Sequence, residues 1–285
     1  MNRSMSEEVQ QRYLGPLDTA LQTGLDILEE GGSSLDAVEQ VIRYLEDHPL
    51  FNAGRGAVLT DEGKAELDAS VMTGWDLNAG AVAGVTDVKN PISAARAVME
   101  QSPHVLLAGR GASVFARDRG LEMADPTYFL TRRRLENYER SKEMDKKGTV
   151  GCVALDKEGN LTAGTSTGGM ANKKFGRVGD SPIIGAGTYA NNRTCGVSGT
   201  GHGEFFIRYA AAHDISVLME YKGYDVESAA RKVVMEKLKE AGANAGVVCL
   251  DRYGRRAMVF NTSGMFRAYG NSAGEREVAI FSKDR

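Results

Sequence analysis

Cysteine and histidine are scarce in this chain of 285 residues. The three cysteines, Cys152, Cys195 and Cys249, are an odd number without CxxC spacing, and the four histidines are scattered. Such spacing is typical neither of a disulfide framework nor of a zinc site. Cys152 and Cys249 lie in apolar runs, where cysteine acts as a small buried hydrophobic residue. The sequence therefore predicts reduced cysteines and no metal site built on histidine.

Long apolar runs and an excess of basic residues are also absent. No run approaches the roughly 18–20 apolar residues that span a bilayer, and the N-terminal MNRSMSEEVQQRYLG lacks the apolar core of a signal peptide. The net charge of -3 predicts no nucleic-acid partner. The basic run at 132–134 is better interpreted as a solvated helix face than as a phosphate site. These features predict a cytoplasmic protein without membrane or nucleic-acid contacts.

Nucleotide and serine-hydrolase motifs are missing as well, although 34 residues are glycine. The chain has no GxxxxGK[ST] phosphate loop, and no GxGxxG opens a helix after an early strand. No GxSxG motif stands with plausible acid and histidine partners. Neither a nucleotide site nor a serine triad is predicted.

Apolar periodicity predicts the elements of the first half. Leucines at three- and four-residue spacing indicate a helix over 14–28 that ends at Gly31-Gly32. Ser33 or Ser34 can cap a second helix, which Pro49 closes. The other predicted elements are strands over 56–60, 66–72 and 79–85, a helix over 91–99, and a short buried strand over 105–108. Residues 125–147 are charged and are interpreted as an exposed helix followed by a mobile linker.

The second half contains an internal repeat. Residues 151–170 align without gaps to 246–265, and both segments have a strand, a Leu-Asp-x-x-Gly turn, a second strand and a Thr-x-Gly-Met ending. They predict two β-hairpins. A glycine-rich stretch (176–203) and helices over 204–221 and 226–241 separate them. The order of strands and helices predicts an α+β fold, a four-layer αββα sandwich.

Thr149 is the strongest candidate for chemistry from the residues themselves. It follows Gly148 and begins an apolar strand directly after the charged segment. If the bond between them were broken, Thr149 would gain an α-amino group with a reference pKa of about 7.7–8.0. That amine could take the proton of its own hydroxyl, so one residue would be nucleophile and base. Taken alone, Thr149 is better interpreted as a β-branched residue that starts a strand.

A series of motifs along nearly the whole chain resembles the plant-type asparaginase/isoaspartyl peptidase family of N-terminal-nucleophile hydrolases. The motifs are PLFNAGRGAV (49–58), ELDASVM (66–72), AGAVAGV (79–85), NP (90–91), VMEQSPHV (98–105), GTVGCVALD (148–156), TSTGGMAN (165–172), GRVGDSP (176–182), GAGTYANN (185–192), GTGHGE (199–204) and FNTSGMFR (260–267). They occur in the family's order with short gaps.

The resemblance implies a single N-terminal-nucleophile domain that cuts itself between Gly148 and Thr149, giving an α subunit (1–148) and a β subunit (149–285). Thr149 then matches the nucleophile, and Thr167 the second threonine that orients it. Thr200 and Gly201 match the oxyanion hole. The repeat leaves another interpretation of Thr167, a strand-end threonine that caps a turn, which is the state expected of its counterpart Thr262.

Substrate binding follows from the same resemblance. Arg177 and Asp180 match the clamp for the α-carboxylate and α-amino group of the substrate, although an Arg–Asp pair in a loop is the plainer alternative. Asn52 matches an asparagine that positions substrate or water. The family also implies a structural sodium held by main-chain carbonyls, here of Leu45, Glu46, His48, Phe51, Ala53 and Arg55. No cofactor is expected for catalysis.

Three departures from the family pattern carry expectations of their own. Relatives open with a strand that ends in a His-Gly-Gly loop, which the sequence as given does not match. We expect a form that carries such a strand to be more stable and to cleave faster. His202 follows Gly201 where relatives have a smaller residue, so it could crowd the site or add a donor. The short charged linker before Thr149 is expected to slow cleavage.

The expected function is hydrolysis of the side-chain amide of L-asparagine, of β-aspartyl (isoaspartyl) dipeptides, or of both, by a homo-oligomer of cleaved αβ units. Two alternatives stay open. One is a glycosylasparaginase-like amidase of the same fold, which needs room for a sugar beyond the amide. The other is a non-cleaving amino-acid-binding or scaffold protein. A denaturing gel separates the last from the enzymes.

Overall fold

A computed structural model describes residues 5–140 and 148–282 of the chain as a mixed α/β structure. The helices are α1 (Glu7–Glu29), α2 (Ser34–Asp47), α3 (Pro91–Gln101), α4 (Gly109–Asp118), α5 (Arg132–Arg140), α6 (Gly203–Tyr209), α7 (Ala211–Lys222) and α8 (Val226–Arg231), which continues as a π-helical segment, Lys232–Leu238. The strands are β1 (Leu67–Thr73), β2 (Ala79–Val85), β3 (Leu106–Ala108), β4 (Val150–Leu155), β5 (Leu161–Thr167), β6 (Thr188–Ala190), β7 (Cys195–Gly201), β8 (Ala245–Asp251), β9 (Arg256–Phe260), β10 (Arg267–Gly270) and β11 (Arg276–Ala279). None of the described helices is long and apolar enough to cross a membrane.

Two sheets organise the described residues. The first has five strands in the order β3-β2-β1-β5-β4, and the second has four in the order β6-β7-β8-β9. Neighbouring strands are antiparallel, except that β3 lies parallel to β2. Helices α2 and α3 contact the first sheet, whereas α7 and α8 contact the second. Strands β4 and β5 contact β7, so each sheet has one face toward the other. The pair β10–β11 packs on α1.

The two sheets meet through buried hydroxyl groups as well as apolar side chains. Ser70 and Thr165 lie opposite each other on β1 and β5, and Thr188 Oγ1 lies 2.8 Å from Ser70 Oγ and 2.6 Å from Thr165 Oγ1. Thr165 Oγ1 is 2.7 Å from Ser198 Oγ of β7. The chain of bonds ends where Ser70 donates to the carbonyl of Ser181 (2.6 Å). This buried hydroxyl chain (Ser70, Thr165, Thr188 and Ser198) joins four strands, β1, β5, β6 and β7, and of these β5 and β7 lead to the cleft described below.

Most elements predicted from periodicity are confirmed. The hydroxyl of Ser33 caps α2 by accepting from the backbone N–H of Asp36 (3.1 Å). Strand β2 has the predicted bounds, and β1 is fully buried along its length, as expected where both faces are covered. The repeat forms equivalent hairpins, β4–β5 and β8–β9. Asp156 and Asp251 stand in the same turn position, and each accepts backbone N–H bonds within its turn.

Several local predictions are wrong, each for a physical reason. Residues 56–60 form no strand, because the Val58 N–H donates to the Asn52 side chain (2.8 Å) and Thr60 closes a turn with Lys64. Strand β3 is not buried, since it pairs on one side alone and leaves Leu106 42% exposed. Three regions with weak apolar patterns hold elements that were not predicted: α4, strands β6 and β7, and the pair β10–β11.

The helix predicted over 204–221 is broken at Ala210, which has a φ of 46°. The N–H groups of Ala212 and His213 donate to the carbonyls of Ala186 (3.0 Å) and Gly185 (2.9 Å). These tertiary hydrogen bonds replace helical ones, so the chain starts a new helix, α7.

The basic run at 132–134 lies in a helix as predicted, but its face is only partly solvated. Arg132 is exposed and pairs with Glu136. Arg134, in contrast, is 7% exposed, and its guanidinium donates to the carbonyls of Gly56 (2.5 Å) and Phe51 (3.2 Å). Burial lowers the pKa of Arg134 to about 10. The linker predicted up to Lys147 lies, from residue 141 onward, outside the described residues.

Candidate active site

A cleft of about 280 Å³ lies where the ends of β5 and β7 meet the start of β4. Its lining residues are Gly148, Thr149, Thr167, Gly169, Met170, Arg177, Gly179, Asp180, Ser181 and Gly201. The register explains why the two threonines meet. Val150 pairs with Ser166, so Thr149 comes opposite Thr167 on the neighbouring strand. Six of the residues predicted for the site therefore share one cleft: Gly148, Thr149, Thr167, Arg177, Asp180 and Gly201.

The peptide bond between Gly148 and Thr149 is held by specific hydrogen bonds. The Gly148 carbonyl oxygen accepts from Asn52 Nδ2 (2.7 Å) and from Thr167 Oγ1 (3.0 Å). Thr149 Oγ1 donates to Thr167 Oγ1 at 3.3 Å. Two donors on a carbonyl oxygen stabilise the negative charge that develops there when a nucleophile attacks the carbonyl carbon. The hydroxyl of Thr149 thus stands beside a polarised carbonyl.

Asn52 is itself fixed by its remaining polar contacts. Its Oδ1 accepts from Val58 N–H (2.8 Å), and its Nδ2 also donates to the Gly169 carbonyl (2.8 Å). The side chain is buried, with 8% exposure. These bonds set the orientation of the amide, so that its NH2 group faces the Gly148 carbonyl.

Arg177 and Asp180 form the polar end of the cleft. Arg177 Nε donates to Glu204 Oε1 of α6 at 2.9 Å, which fixes the plane of the guanidinium. Asp180 is 5% exposed, and its Oδ2 is buried without a hydrogen-bond partner among the described residues. Burial raises the pKa of Asp180 to about 7, although the Arg177 charge draws it down. A Cβ at Gly203 would lie 2.8 Å from both Arg177 Nη2 and Asp180 Oδ1, so glycine makes room for this pair.

Strand β7 ends at Thr200 and Gly201 beside the same cleft. Gly201 has a φ of 145°, and a Cβ there would collide with the carbonyl oxygen of Asn244. Thr200 pairs with Gly246 of β8 and is not among the lining residues. His202 does not crowd the cleft, because it is bonded to Asn244 instead. The His202 Nδ1 accepts from the backbone N–H of Asn244 (3.0 Å), and the backbone N–H of His202 donates to the Asn244 carbonyl (2.9 Å).

Comparison with known proteins agrees with this arrangement. The family model described as Asparaginase (Asparaginase_2) matches residues 1–280. The chain belongs to the asparaginase family of N-terminal-nucleophile hydrolases. It is 49% identical to an isoaspartyl peptidase of Escherichia coli K12, over 97% of this chain and 91% of the relative. It is 48% identical to the isoaspartyl peptidase of Salmonella typhimurium, over 97% and 93%, and 45% identical to a plant-type L-asparaginase of Pyrococcus horikoshii, over 84% and 83%.

The internal repeat shows what distinguishes the site of this asparaginase-family member from a similar motif. Thr262, the counterpart of Thr167, donates its hydroxyl to the Gly264 carbonyl (3.0 Å) within its own turn, as predicted. At the repeat position of Thr149 stands Asn244, which has no hydroxyl nucleophile. Both hairpins have the Thr-x-Gly-Met ending, so this motif alone does not mark a site. The difference lies just before the neighbouring strand, where one hairpin has Thr149 and the other has Asn244.

Three polar residues near the cleft were missed by sequence reasoning: Asp68, Lys173 and Glu204. Asp68 lies opposite Thr167 on β1, and Lys173 belongs to the loop that follows β5. Both are buried. The signal for Asp68 was present, since it is a charged residue inside the otherwise uncharged run LDASVM. Lys173 stands in the polar stretch NKK, where lysine is normally exposed, so its burial leaves no mark in the sequence.

The loop expected to bind sodium connects α2 to the cleft through Asn52. The carbonyls of His48 and Ala53 accept from the N–H groups of Phe51 (3.4 Å) and Gly56 (3.0 Å), and Arg134 donates to the Phe51 carbonyl. Each carbonyl oxygen keeps a second lone pair. Neutral oxygen donors of this kind suit a hard cation. No group of three or more His, Cys, Asp or Glu side chains fit to hold a metal occurs within 5–140 and 148–282.

Proposed function

We propose that the chain cuts itself between Gly148 and Thr149 and then hydrolyses the side-chain amide of L-asparagine and the isopeptide bond of β-aspartyl peptides. One observation carries the proposal. The Thr149 hydroxyl, the doubly hydrogen-bonded Gly148 carbonyl and the Arg177–Asp180 pair share a single cleft. The family and the names of the relatives support the same substrates.

Self-cleavage follows from the contacts of Thr149. Its Oγ1 attacks the carbonyl carbon of Gly148, while Asn52 Nδ2 and Thr167 Oγ1 stabilise the oxyanion. The C–N bond breaks and its nitrogen takes the hydroxyl proton, which leaves Gly148 as an ester on Thr149. Water hydrolyses the ester, releasing the Gly148 carboxylate and restoring the hydroxyl. Thr149 then carries a free α-amino group.

The freed amine is the base in turnover. It accepts the proton of Thr149 Oγ1 as this oxygen attacks the amide carbon of the substrate. The N–H groups at Thr200 and Gly201 face the developing oxyanion in this proposal, which is consistent with the place of Gly201 in the cleft. Ammonia or an amino acid leaves with the proton, and water hydrolyses the acyl-enzyme to aspartate.

Recognition of the substrate rests on charge and shape. The Arg177 guanidinium can bind the α-carboxylate through Nη1 and Nη2, because Glu204 already holds its Nε. The unpartnered Oδ2 of Asp180 supplies an acceptor for the α-ammonium group. Asparagine and β-aspartyl peptides present the same aspartyl portion to this pair, so the proposal includes both substrates.

The proposal extends to architecture and setting. The two facing sheets, with α2 and α3 on one and α7 and α8 on the other, are consistent with a four-layer αββα sandwich. Residues 1–285 would form one domain, cleaved into 1–148 and 149–285 and assembled as a homo-oligomer of αβ units, as the family resemblance implies. The described cysteines are all unpaired, which supports a reducing, cytoplasmic setting.

A gel with N-terminal sequencing and three substrates tests the function. Purified protein should give two bands, one of which begins TVGCV, and should release aspartate from asparagine and from a β-aspartyl dipeptide. Hydrolysis of a glycosylated asparagine alone would favour the glycosylasparaginase-like alternative. A single inactive chain at 30.7 kDa that still binds aspartate would favour the scaffold alternative and overturn the proposal.

Binding of the product L-aspartate should weaken below about pH 7. The pKa of Asp180 is raised to about 7, so its carboxyl is increasingly protonated, and unable to pair with an ammonium group, as the pH falls through that value. Inhibition constants for aspartate, measured from about pH 5.5 to 8, should rise toward acid by roughly tenfold per unit. Succinate, which lacks the ammonium group, is the matched ligand and should not follow this trend. Equal pH dependence for both ligands would contradict the role of Asp180.

We further propose that the main-chain carbonyls of the loop from Leu45 to Arg55 hold a structural sodium ion. The ion would add a fixed positive charge that ties the loop, and with it Asn52, into one conformation, and it takes no part in the chemical steps. Any cation that binds the folded state alone raises its stability by mass action. The melting temperature should therefore be higher in sodium chloride than in choline chloride at equal ionic strength. Equal melting temperatures would contradict the site.

A further inference from the structure

Two buried residues of opposite charge, Lys173 and Asp68, lie near the two threonines of the cleft. Lys173 has a side chain that is 1% exposed, and its Nζ donates to the Glu66 carbonyl (3.0 Å) and lies 3.7 Å from Glu66 Oε2. Asp68 is fully buried, and its Oδ1 accepts from Gly84 N–H (2.8 Å). Its Oδ2 is buried and has no hydrogen-bond partner in the described residues.

Both charges adjoin the residues that hold Thr149. Asp68 is the cross-strand neighbour of Thr167, and Thr149 follows on the other side of β5, so the three side chains stand in one row on the same face of the sheet. A Cβ added at Gly169 would lie 3.2 Å from Lys173 Nζ. Gly169 in turn donates to Thr167 Oγ1 at 2.9 Å. Lys173 therefore lies against Gly169, whose N–H donates to Thr167 Oγ1, and the same oxygen accepts from Thr149 Oγ1.

The positive charge of Lys173 acts on the Asp68 carboxyl in this row. Burial raises the pKa of the Asp68 carboxyl, and the strongest opposing effect is the positive charge of Lys173, ahead of that of Arg177. A buried ammonium also lowers the pKa of a neighbouring amine, because it disfavours a second positive charge. An amine that must act as a base at neutral pH benefits from such a neighbour.

We propose that Lys173 is a positioning residue whose buried positive charge keeps the freed α-amino group of Thr149 unprotonated, with Glu66 and Asp68 as the counter-charges. The inference rests on the proposed function, since it concerns the amine that self-cleavage creates. The charged and titratable groups of the surrounding elements are Asp68 on β1 with Glu66 ahead of it, Lys173, Arg177 and Asp180 in the loop after β5, and His202 and Glu204 at the start of α6.

The pH profile of kcat in cleaved protein tests the inference. The bound complex is used because Asp180 is then paired with the substrate ammonium, so the acid limb reports the Thr149 amine. Lys173→Met should raise the pKa of that limb by about half a unit or more, and Asp68→Asn should lower it. Lys173→Arg keeps the charge and should leave the limb in place. Lys237→Met, which removes a lysine paired with Asp214 on the second sheet's helices, should change nothing.

Opposite shifts of the acid-limb pKa in Lys173→Met and Asp68→Asn indicate an electrostatic role. A merely structural role would lower kcat without changing the pKa of the limb. Shifts in the same direction for Lys173→Met and Asp68→Asn, or an unmoved limb in cleaved protein, overturn the inference. If Lys173→Met does not fold, Asp68→Asn decides the question, because the inference requires a lower acid-limb pKa in that variant. A readout independent of turnover is the pH dependence of acylation of the Thr149 amine, followed by mass spectrometry of the small fragment. Absence of a fragment that begins at Thr149 would contradict the proposed function, whereas an unshifted Thr149 amine contradicts this inference alone.

Discussion

Protein carrying Thr149→Ala is expected to stay a single chain of 30.7 kDa and to lose hydrolytic activity by roughly 10³-fold or more. The substitution removes the oxygen that lies 3.3 Å from Thr167 Oγ1 and leaves no nucleophile for either self-cleavage or turnover. The side chain is half-buried just before the start of β4, so the fold should survive. A denaturing gel over several days and an assay for released aspartate measure both effects.

The repeat offers a matched control for the neighbouring threonine. Thr167→Ala should slow cleavage strongly, because it removes a donor to the Gly148 carbonyl and the acceptor for Thr149. Thr262→Ala removes a hydroxyl that bonds within its own turn, and cleavage should proceed as in the unaltered protein. Cleavage of Thr149→Ala at the same bond, or equal effects of the two repeat substitutions, would contradict the assignment of the nucleophile.

Arg177→Lys is expected to lower kcat/KM by roughly ten- to hundred-fold for both asparagine and a β-aspartyl dipeptide, which corresponds to about 1.5–3 kcal/mol for a hydrogen bond to a charged group. Lysine keeps the charge but cannot hold Glu204 and a substrate carboxylate with separate donors of one planar group. Self-cleavage should be unaffected, because the Gly148 carbonyl is bound by Asn52 and Thr167 instead. Kinetics on fully cleaved protein give the comparison.

A surface arginine provides the control for that substitution. Arg193 pairs with Glu220 and has a side chain that is 75% exposed, and exposed ion pairs contribute little. Arg193→Lys should therefore leave kcat/KM unchanged. An unchanged kcat/KM for Arg177→Lys as well would show that its guanidinium does not bind the substrate carboxylate.

The parts of the fold that sequence patterns predicted are those with strong local signals. The Ser33 cap, the leucine spacing of α1 and the paired turns of the repeat each depend on residues close together in the chain. Strand β7, CGVSGTG, was not predicted, because it has few β-branched residues and its place is secured by pairing on both sides. The break at Ala210 and the burial of Arg134 depend on carbonyls of distant segments, which no local pattern encodes.

The site shows the same division. The motif resemblance pointed to Thr149, Thr167, Arg177 and Asp180, and the structure places all four in one cleft. It also predicted that Asn52 positions substrate or water, whereas in the structure the Asn52 side-chain amide donates to the Gly148 carbonyl oxygen. Asp68 and Lys173 were missed because their importance lies in burial and register.

The hydroxyl groups of the buried chain between the sheets depend on one another for hydrogen bonds. Each hydroxyl has one proton to donate, and the side-chain oxygens of Ser70, Thr188, Thr165 and Ser198 lie in turn 2.8, 2.6 and 2.7 Å apart. Loss of one member deprives its neighbour of a partner in a place water does not reach, which is costly. A second loss next to the first removes a group that is already unpaired and so costs less than it would alone. Substitutions at these four positions should therefore be tolerated more easily together than one at a time. Among related sequences they should occur as coupled substitutions, although the strands concerned are far apart in the chain.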